Sequence, residues 1–513
     1  MKTNTAYQEK SKNELLALLA EKDSHITQQS QQINALTEML RIYRYRQFGN
    51  KSEKMPLEQL SIFNEAELPK NVEAIIEADE EIHVTPHTRK KSPGRKPLPA
   101  ELPREQRIHD LPEEEKTCAC GEKLTHIKDE TCEQLDIIPA KVYVIQHVKR
   151  KYACRSCEDT IKTARMPAQP IPRSIASPGL LSHVFVSKFE DHLPLHRQEQ
   201  MLRRIGIDIP RATLCLWVVR GAELFKPMMK LIHKNIIGYD VAYSDETTVQ
   251  VLKDPNKGVT NKKYMWLFAG GRPDKFAYYY HYHHSRSHDV PLNFFEGYKG
   301  HIHCDGFQGY DALAAKSSDI ILSGCMYHAR RKFFEITKIT RAKEGVAHDV
   351  LKFITLLARI EEEIKELSHE DKYRIRLEKA KPVLDDLYAY LSAVHPRVLP
   401  KSPLGQAVSY TLNQWPKLTA YLADGRLENS NNRSERAIKP FVIGRKGWMF
   451  ADSVAGAEAA AVLFSLVETC KHHDIEAYDW FRYVLQKIPL CQSDDEIEAL
   501  LPFNIDRSLL VRV

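Results

Sequence analysis

The chain has 513 residues, 43% of them hydrophobic and 28% charged, with a net charge of +6. That length allows about three or four domains with sizeable cores. The sequence holds no apolar run long enough to span a bilayer, and the polar N-terminus lacks a signal peptide's apolar stretch. The pattern argues against a membrane or secreted protein and makes the cytoplasm the expected compartment. The small net charge settles nothing about a polyanionic partner, but its distribution is uneven. Acidic residues gather at 61–82 and basic ones at 41–54, 89–107 and 147–165, the local patches that binding to DNA requires.

Residues 11–46 read as one long helix. Leu19, Ile26, Ile33 and Leu40 recur every seven residues; Leu15 and Leu36 occupy the companion column, which Lys22 and Gln29 interrupt. The period predicts a coiled coil over 11–50, and a short helical hairpin fits the same pattern. The helix ends in Arg41-Ile-Tyr-Arg-Tyr-Arg-Gln-Phe-Gly-Asn-Lys51. Here Arg41, Arg44, Arg46 and Lys51 are candidates for holding phosphates while the aromatics stack on bases; a solvated helix end has the same composition. Residues 51–108 read as a linker, acidic first, then basic and proline-rich from Pro86 to Arg107. Arg95 and Lys96 sit in its Ser92-Pro-Gly-Arg-Lys-Pro97 core, which suits an extended path along a DNA backbone or a solvated tether.

Ten cysteines are present, four of them as two close pairs, Cys118/Cys120 and Cys154/Cys157. In a cytosolic chain such pairs point to metal rather than disulfides. With strands expected over Leu135–Pro139 and Lys141–Lys149 between the pairs, residues 109–165 resemble a zinc ribbon with four thiolates around one structural Zn²⁺. Cys-x-Cys is tighter than usual, and Cys132 or His126 is an alternative ligand. Residues 170–235 are expected to be all-helical. Leu193–Gly206, a turn through Pro210, and a second helix from Arg211 to Arg220 fit a helix-turn-helix, with Arg211 a candidate DNA contact; any helical hairpin gives a similar pattern.

From Tyr239 the apolar period changes to two. The first strand runs through Val241, Tyr243, Asp245, Thr247 and Val249. Strands Lys263–Ala269 and Phe276–Tyr282 follow, then a helical stretch near His288–Phe295 and the strand His301–Asp305. A short helix, Asp311–Lys316, and the strand Asp319–Ser323 complete the series. The order β-β-β-α-β-α-β is that of a ribonuclease H-like α/β core, in which the first and fourth strands are neighbours. Asp245 and Asp305 then meet although sixty positions apart. Adjacent carboxylates repel unless protonated or bridged by a cation, and hard oxygen ligands suit two Mg²⁺ or Mn²⁺ ions. Glu435, in Glu428-Asn-Ser-Asn-Asn-Arg-Ser-Glu-Arg-Ala-Ile-Lys-Pro440, is the third candidate, on a helix that Asn431 or Asn432 is expected to cap. Arg436 and Lys439, with Arg445 and Lys446 downstream, are candidate phosphate contacts.

The chain resembles transposases of the insertion-sequence-66 family. The resemblance is carried by Arg46-Gln-Phe-Gly-Asn-Lys-Ser-Glu-Lys54, the paired cysteines with Gln134-Leu-Asp-Ile-Ile-Pro-Ala140, and Tyr152-Ala-Cys-Arg-Ser-Cys157. It continues through His192-Leu-Pro-Leu-His-Arg-Gln-Glu199, Ser244-Asp-Glu-Thr247, Cys304-Asp-Gly-Phe-Gln-Gly-Tyr310 and Gly324-Cys-Met-Tyr-His-Ala-Arg-Arg-Lys-Phe333. Asn431-Asn-Arg-Ser-Glu-Arg-Ala-Ile-Lys-Pro440 and Gly444-Arg-Lys-Gly-Trp448 close it. It implies a DDE catalytic triad at Asp245, Asp305 and Glu435, a DNA-binding role for the zinc module, and accessory proteins of the same element. It also implies that the Cys-x-x-His pair Cys325/His328 lies near the active site; two ligands are too few for zinc, so no metal is assigned there.

The expected organisation is thus a multidomain α+β protein. A coiled coil (11–50), linker (51–108), zinc module (109–165) and helix-turn-helix domain (170–235) precede a core in two parts (236–340 and 428–470). A helical insertion (341–427) interrupts the core, and a C-terminal helical module (471–513) follows it. The expected function is metal-dependent cutting and joining of double-stranded DNA, element ends and target, by a homo-oligomer acting on the nucleoid. A catalytically inactive DNA-binding regulator is the alternative. A coiled-coil and zinc assembly protein without nucleic acid is a third class, excluded by salt-sensitive binding to duplex DNA.

Overall fold

In a computed structural model, the residues described are 142–510, apart from 154–160, 165, 256–261 and 341–343, together with scattered positions of a helix between residues 13 and 40. The chain divides into two compact units, residues 73–166 and the remainder.

In the smaller unit, strands β1 (Lys151–Ala153) and β2 (Ile161–Thr163) pair antiparallel, with Tyr152 opposite Lys162. The strand expected over Lys141–Lys149 does not form: residues 142–149 have no regular structure. They alternate suitably, but among the described residues no segment pairs with them, and Tyr143 and Val144 stand 77% and 92% exposed. The strand expected over Leu135–Pro139 lies outside the described residues. The short hairpin instead straddles the second cysteine pair. Cys118, Cys120, Cys154 and Cys157, with Cys132 and His126, lie outside the described residues.

The larger unit is built on one five-stranded sheet. Its strands are β3 (Val241–Val249), β5 (Lys263–Gly270), β6 (Ala277–His283), β7 (Gly300–His303) and β8 (Ile320–Ser323). The spatial order is β6-β5-β3-β7-β8. β5 runs antiparallel to both β3 and β6, whereas β3, β7 and β8 are parallel. The expected neighbours, first and fourth strands, are therefore paired. The pattern continues beyond a break at Gln250: β4 (Val251–Lys253) leaves the sheet and pairs with β9 (Ala451–Ser453), two hundred residues away.

Alternation along β3 sends successive side chains to opposite faces. Ala242 joins one buried cluster and Val241 and Tyr243 another. The first cluster holds helices α1 (Pro178–Phe189), α2 (Leu195–Arg204), α3 (Arg211–Leu224) and α4 (Lys226–Ile237), with α14 (Val454–His472) and α15 (Ala477–Lys487). The predicted helical pair α2–α3 is thus packed into the core that covers the sheet. The second cluster holds α7 (Met326–Thr340) and the helices α8 (Val346–Glu363), α10 (Lys381–Val394) and α11 (Pro403–Asn413), between the second and third acidic residues of the expected site. Arg376, 3% exposed, bridges this insertion internally: it reaches both oxygens of Glu361 at 2.9 and 2.7 Å and the carbonyls of Tyr421 and Asp424.

The edge strand β6 is covered by α14. Ser465 Oγ and Thr469 Oγ1 accept from the amides of Tyr280 and Tyr278 at 2.8 and 3.1 Å, which occupies donors that an exposed edge offers to other chains. Small residues Ala457, Ala460 and Ala461 let the helix approach that closely.

The β3–β7 register is held at its start. Gly300 adopts φ +130°, and a Cβ there would sit 2.3 Å from the Asp240 carbonyl oxygen; His301 N donates to that oxygen at 2.8 Å. Arg426 grips the Asp240 carboxylate with two hydrogen bonds, 2.9 and 2.7 Å, and these hold its pKa below the usual range. Gly300→Ala is expected to lower stability by roughly 1–3 kcal/mol through backbone strain, read by denaturant unfolding; an unchanged midpoint would show that the close approach places no demand on this position.

Candidate functional site

Tyr243 lies opposite His303 in the parallel β3–β7 pair, their rings stacked 4.8 Å apart. Two residues on from each stand Asp245 and Asp305. Equal offsets from one register pair put both carboxylates at the same height, just beyond the end of β7. Asp305 is then fixed by a turn in which Phe307 N donates to its Oδ1 at 2.9 Å, and Asp245 Oδ1 accepts from Glu246 N at 2.8 Å.

Glu435 comes from the first turn of α13 (Asn432–Trp448). Asn431 stands at the N-cap position, but its side chain makes no cap hydrogen bond. It donates instead from Nδ2 to the Ser244 carbonyl at 3.1 Å, tying the helix start to β3 one residue before Asp245. Arg433 lies 5.2 Å over Tyr243 and 5.1 Å over Phe276 and bonds Glu428 at 3.0 Å, so the helix is seated on the sheet from below as well. Farther along, Arg445 reaches Thr248 Oγ1 at 3.1 Å.

One open cavity of about 500 Å³ is lined by Asp245, Asp305 and Glu435 together with Glu246, Arg286, His328, Arg331 and Lys439. Burial, and then the charges of Glu246, Asp305 and Glu435, push the Asp245 carboxyl well above its usual range. Burial also raises Glu435, with His328 and Arg331 opposing. Clustered carboxylate oxygens in one cavity are a donor set that fits hard divalent cations.

Glu246 went unremarked in the sequence because alternation turns it to the opposite face from Asp245. It nevertheless reaches the cavity, where Tyr310 OH donates to its Oε2 at 3.1 Å and Arg286 Nε to its Oε1 at 2.6 Å. Arg286 also bonds Asp305 Oδ2 at 3.3 Å and lies 4.1 Å over Phe307. Burial and the Asp305 charge raise the Glu246 pKa from 4.5 to about 7. Only long-range contacts reveal this trio.

Of the predicted phosphate contacts, Lys439 lines the cavity, Arg436 and Lys446 lie exposed on α13, and Arg211 lies exposed at the start of α3. Arg41, Arg44, Arg46, Lys51, Arg95 and Lys96 fall outside the described residues. Cys325 and His328 do border the acidic cluster. Beside them the fold places a third candidate ligand, Glu435, so that Cys325, His328 and Glu435 offer ligand atoms all within 4.8 Å of one another.

Comparison with known proteins adds an independent line. Residues 173–459 match the model described as Transposase IS66 family. Residues 115–158 match the zinc-finger binding domain of transposase IS66, 35–107 the Transposase C of IS166 homeodomain, and 465–503 the IS66 C-terminal element. Among similar chains of Sinorhizobium fredii (strain NBRC 101917 / NGR234), uncharacterized protein y4jD is 34% identical over 79% of this chain and 81% of its own length. Uncharacterized protein y4qI is 30% identical over 93% of this chain and 89% of its own. No helix among the described residues is long and apolar enough to cross a membrane.

The raised Glu246 pKa has a definite sign in stability. A carboxyl whose folded value exceeds its unfolded value contributes fully below the unfolded value, and that contribution is lost as pH rises through the folded one, here from 4.5 to about 7. Glu246→Gln is therefore expected to remove a stability loss of up to about 3 kcal/mol between those pH values, measured by unfolding in the absence of divalent cations. An identical pH profile in the variant would refute the assignment.

Proposed function

The chain belongs to the IS66 family of transposases, and from that premise we propose that it cuts and joins DNA at the ends of an insertion sequence, using Asp245, Asp305 and Glu435. The observation that carries the reading is the single cavity shared by these three carboxyl groups, drawn from a strand, a strand end and a distant helix. The strand order β6-β5-β3-β7-β8, with the first and fourth strands parallel neighbours, supports a ribonuclease H-like core. That core is divided between 236–340 and 428–470 by the helices of 341–427.

Asp245, Asp305 and Glu435 would hold two divalent cations, Mg²⁺ or Mn²⁺, which when bound would supply charge to activate the attacking oxygen and stabilise the leaving one. The chain's own part is positional. The β3–β7 register brings Asp245 and Asp305 level, and the Asn431 and Arg433 anchors fix the turn bearing Glu435. Arg331 and Lys439 meet phosphate charge inside the cavity, while Arg436 and Lys446 extend that basic surface along α13. Arg286 offsets Glu246 and Asp305, so the acidic cluster is tolerable before DNA arrives. Water first attacks a phosphodiester at each element end, exchanging one P–O bond for another and releasing a 3′ hydroxyl; that hydroxyl then attacks a target phosphodiester in line, forming a new P–O bond as the target's own 3′ oxygen leaves.

End recognition falls to the α2–α3 pair, with Arg211 at the start of its second helix, and to the zinc module, whose Zn²⁺ is assigned to Cys118, Cys120, Cys154 and Cys157. Leu19, Ile26, Ile33 and Leu40 are helical and each about 60% exposed. A second copy covering this stripe as a coiled coil would hold two ends together. Accessory proteins of the element and a place on the nucleoid in the cytoplasm complete the proposal. Nothing favours an inactive regulator, since all three acidic residues border the cavity.

Asp245→Asn, Asp305→Asn and Glu435→Gln are each expected to reduce Mg²⁺-dependent nicking of DNA carrying the native ends to background while leaving salt-sensitive end binding intact. Nicking by any purified variant at the wild-type rate would overturn the triad.

A further inference from the structure

Three side chains beside the acidic cluster differ from it in chemistry. Cys325 precedes α7, His328 stands three residues later on the first turn of that helix, and Glu435 faces them from the first turn of α13. Spacing of three places Cys325 and His328 on one side of a helix turn. Their ligand atoms and a Glu435 oxygen all fall within 4.8 Å of one another. His328 Nδ1 lies 3.8 Å from Glu435 Oε1, too far for a hydrogen bond, and both atoms are buried without a hydrogen-bond partner. Buried polar atoms left unmatched signal a missing partner. Cys325 is 2% exposed, and His328 N donates to its carbonyl oxygen at 3.2 Å, which fixes the turn between them. Burial and then the Glu435 charge push the Cys325 thiol up to about 12, and a bound cation supplies the charge that displaces its proton.

We propose that Cys325, His328 and Glu435 form a seat for one thiophilic divalent cation, of the Zn²⁺ or Co²⁺ class, distinct from the hard-cation pair at Asp245 and Asp305. Sulfur, imidazole and carboxylate together select borderline-soft ions, which the all-oxygen cluster does not. Zinc-type distances of about 2.0–2.3 Å need the three atoms drawn together by about 1 Å, within reach of side-chain rotation. The Cys325 thiol loses its proton to water as the sulfur–cation bond forms. Three protein ligands leave a fourth position open, as in exchangeable rather than closed structural sites. Glu435 belongs to both sets, so the soft cation competes with the hard pair for its carboxylate. This sharing rests on the catalytic assignment of Glu435, but the binding itself does not.

The test uses the full chain without DNA, titrated with Co²⁺ and read by near-ultraviolet thiolate-to-metal and visible d–d absorption. Wild-type protein should take up one equivalent more than Cys325→Ser and one more than His328→Gln, each lacking the corresponding band; the cysteines of the zinc module cancel in the difference. Melting without Co²⁺ checks that each variant is folded, and if Cys325→Ser is not, His328→Gln decides. Equal uptake and equal spectra in wild type and a folded variant would overturn the proposal. Because DNA cleavage is not the readout, that failure is separate from failure of the transposase reading.

Discussion

Four carboxyl groups from three segments of chain border one cavity, and each loses solvation by being there. Burial pushes the Asp245 carboxyl well above its usual range, with like charges from Glu246, Asp305 and Glu435 adding to it. A fold that assembled such a cluster for packing alone would be working against itself, since buried like charges destabilise. The surrounding structure accordingly divides into groups that force the acids together and groups that offset them. The β3–β7 register, Gly300 and the Asn431–Ser244 bond belong to the first kind; Arg286, Arg331 and His328 belong to the second.

The two buried clusters explain how one sheet supports this. The face carrying Ala242 packs on the helices that flank the core in sequence, while the face carrying Val241 and Tyr243 packs on α7 and the insertion. The insertion is therefore half of the core's covering, joined to β3 through the Arg426–Asp240 pair. Its length separates Asp305 from Glu435 in sequence without separating them in space.

Much of this was legible in the residues. Period-two alternation from Val241 marked β3, and a strand running into Asp305 before a glycine marked the second acid. Glu435 had a weaker local signature, an acid on a helix among asparagines and basic residues, and the resemblance pointed to the same position. Other features were beyond sequence reasoning because they depend on distant partners. Glu246 matters through Tyr310 and Arg286. Residues 142–149 have no regular structure although their alternation fits a strand. The tie between Val251–Lys253 and Ala451–Ser453 joins segments with no shared pattern. Asn431 was read as a cap because its residue type favours one, but its amide found a carbonyl on β3 instead.

Parallel pairing also sets a length scale. Neighbouring strands lie about 4.8 Å apart in any sheet, and cation pairs that handle phosphodiesters lie about 3.5–4 Å apart. If Asp245 and Asp305 hold such a pair as proposed, leaving two adjacent strands at equal offsets from Tyr243 and His303 would give them nearly that gap from backbone hydrogen bonds. The backbone would then work as a ruler for the chemistry, and short aspartate side chains would suit it because they add little slack of their own.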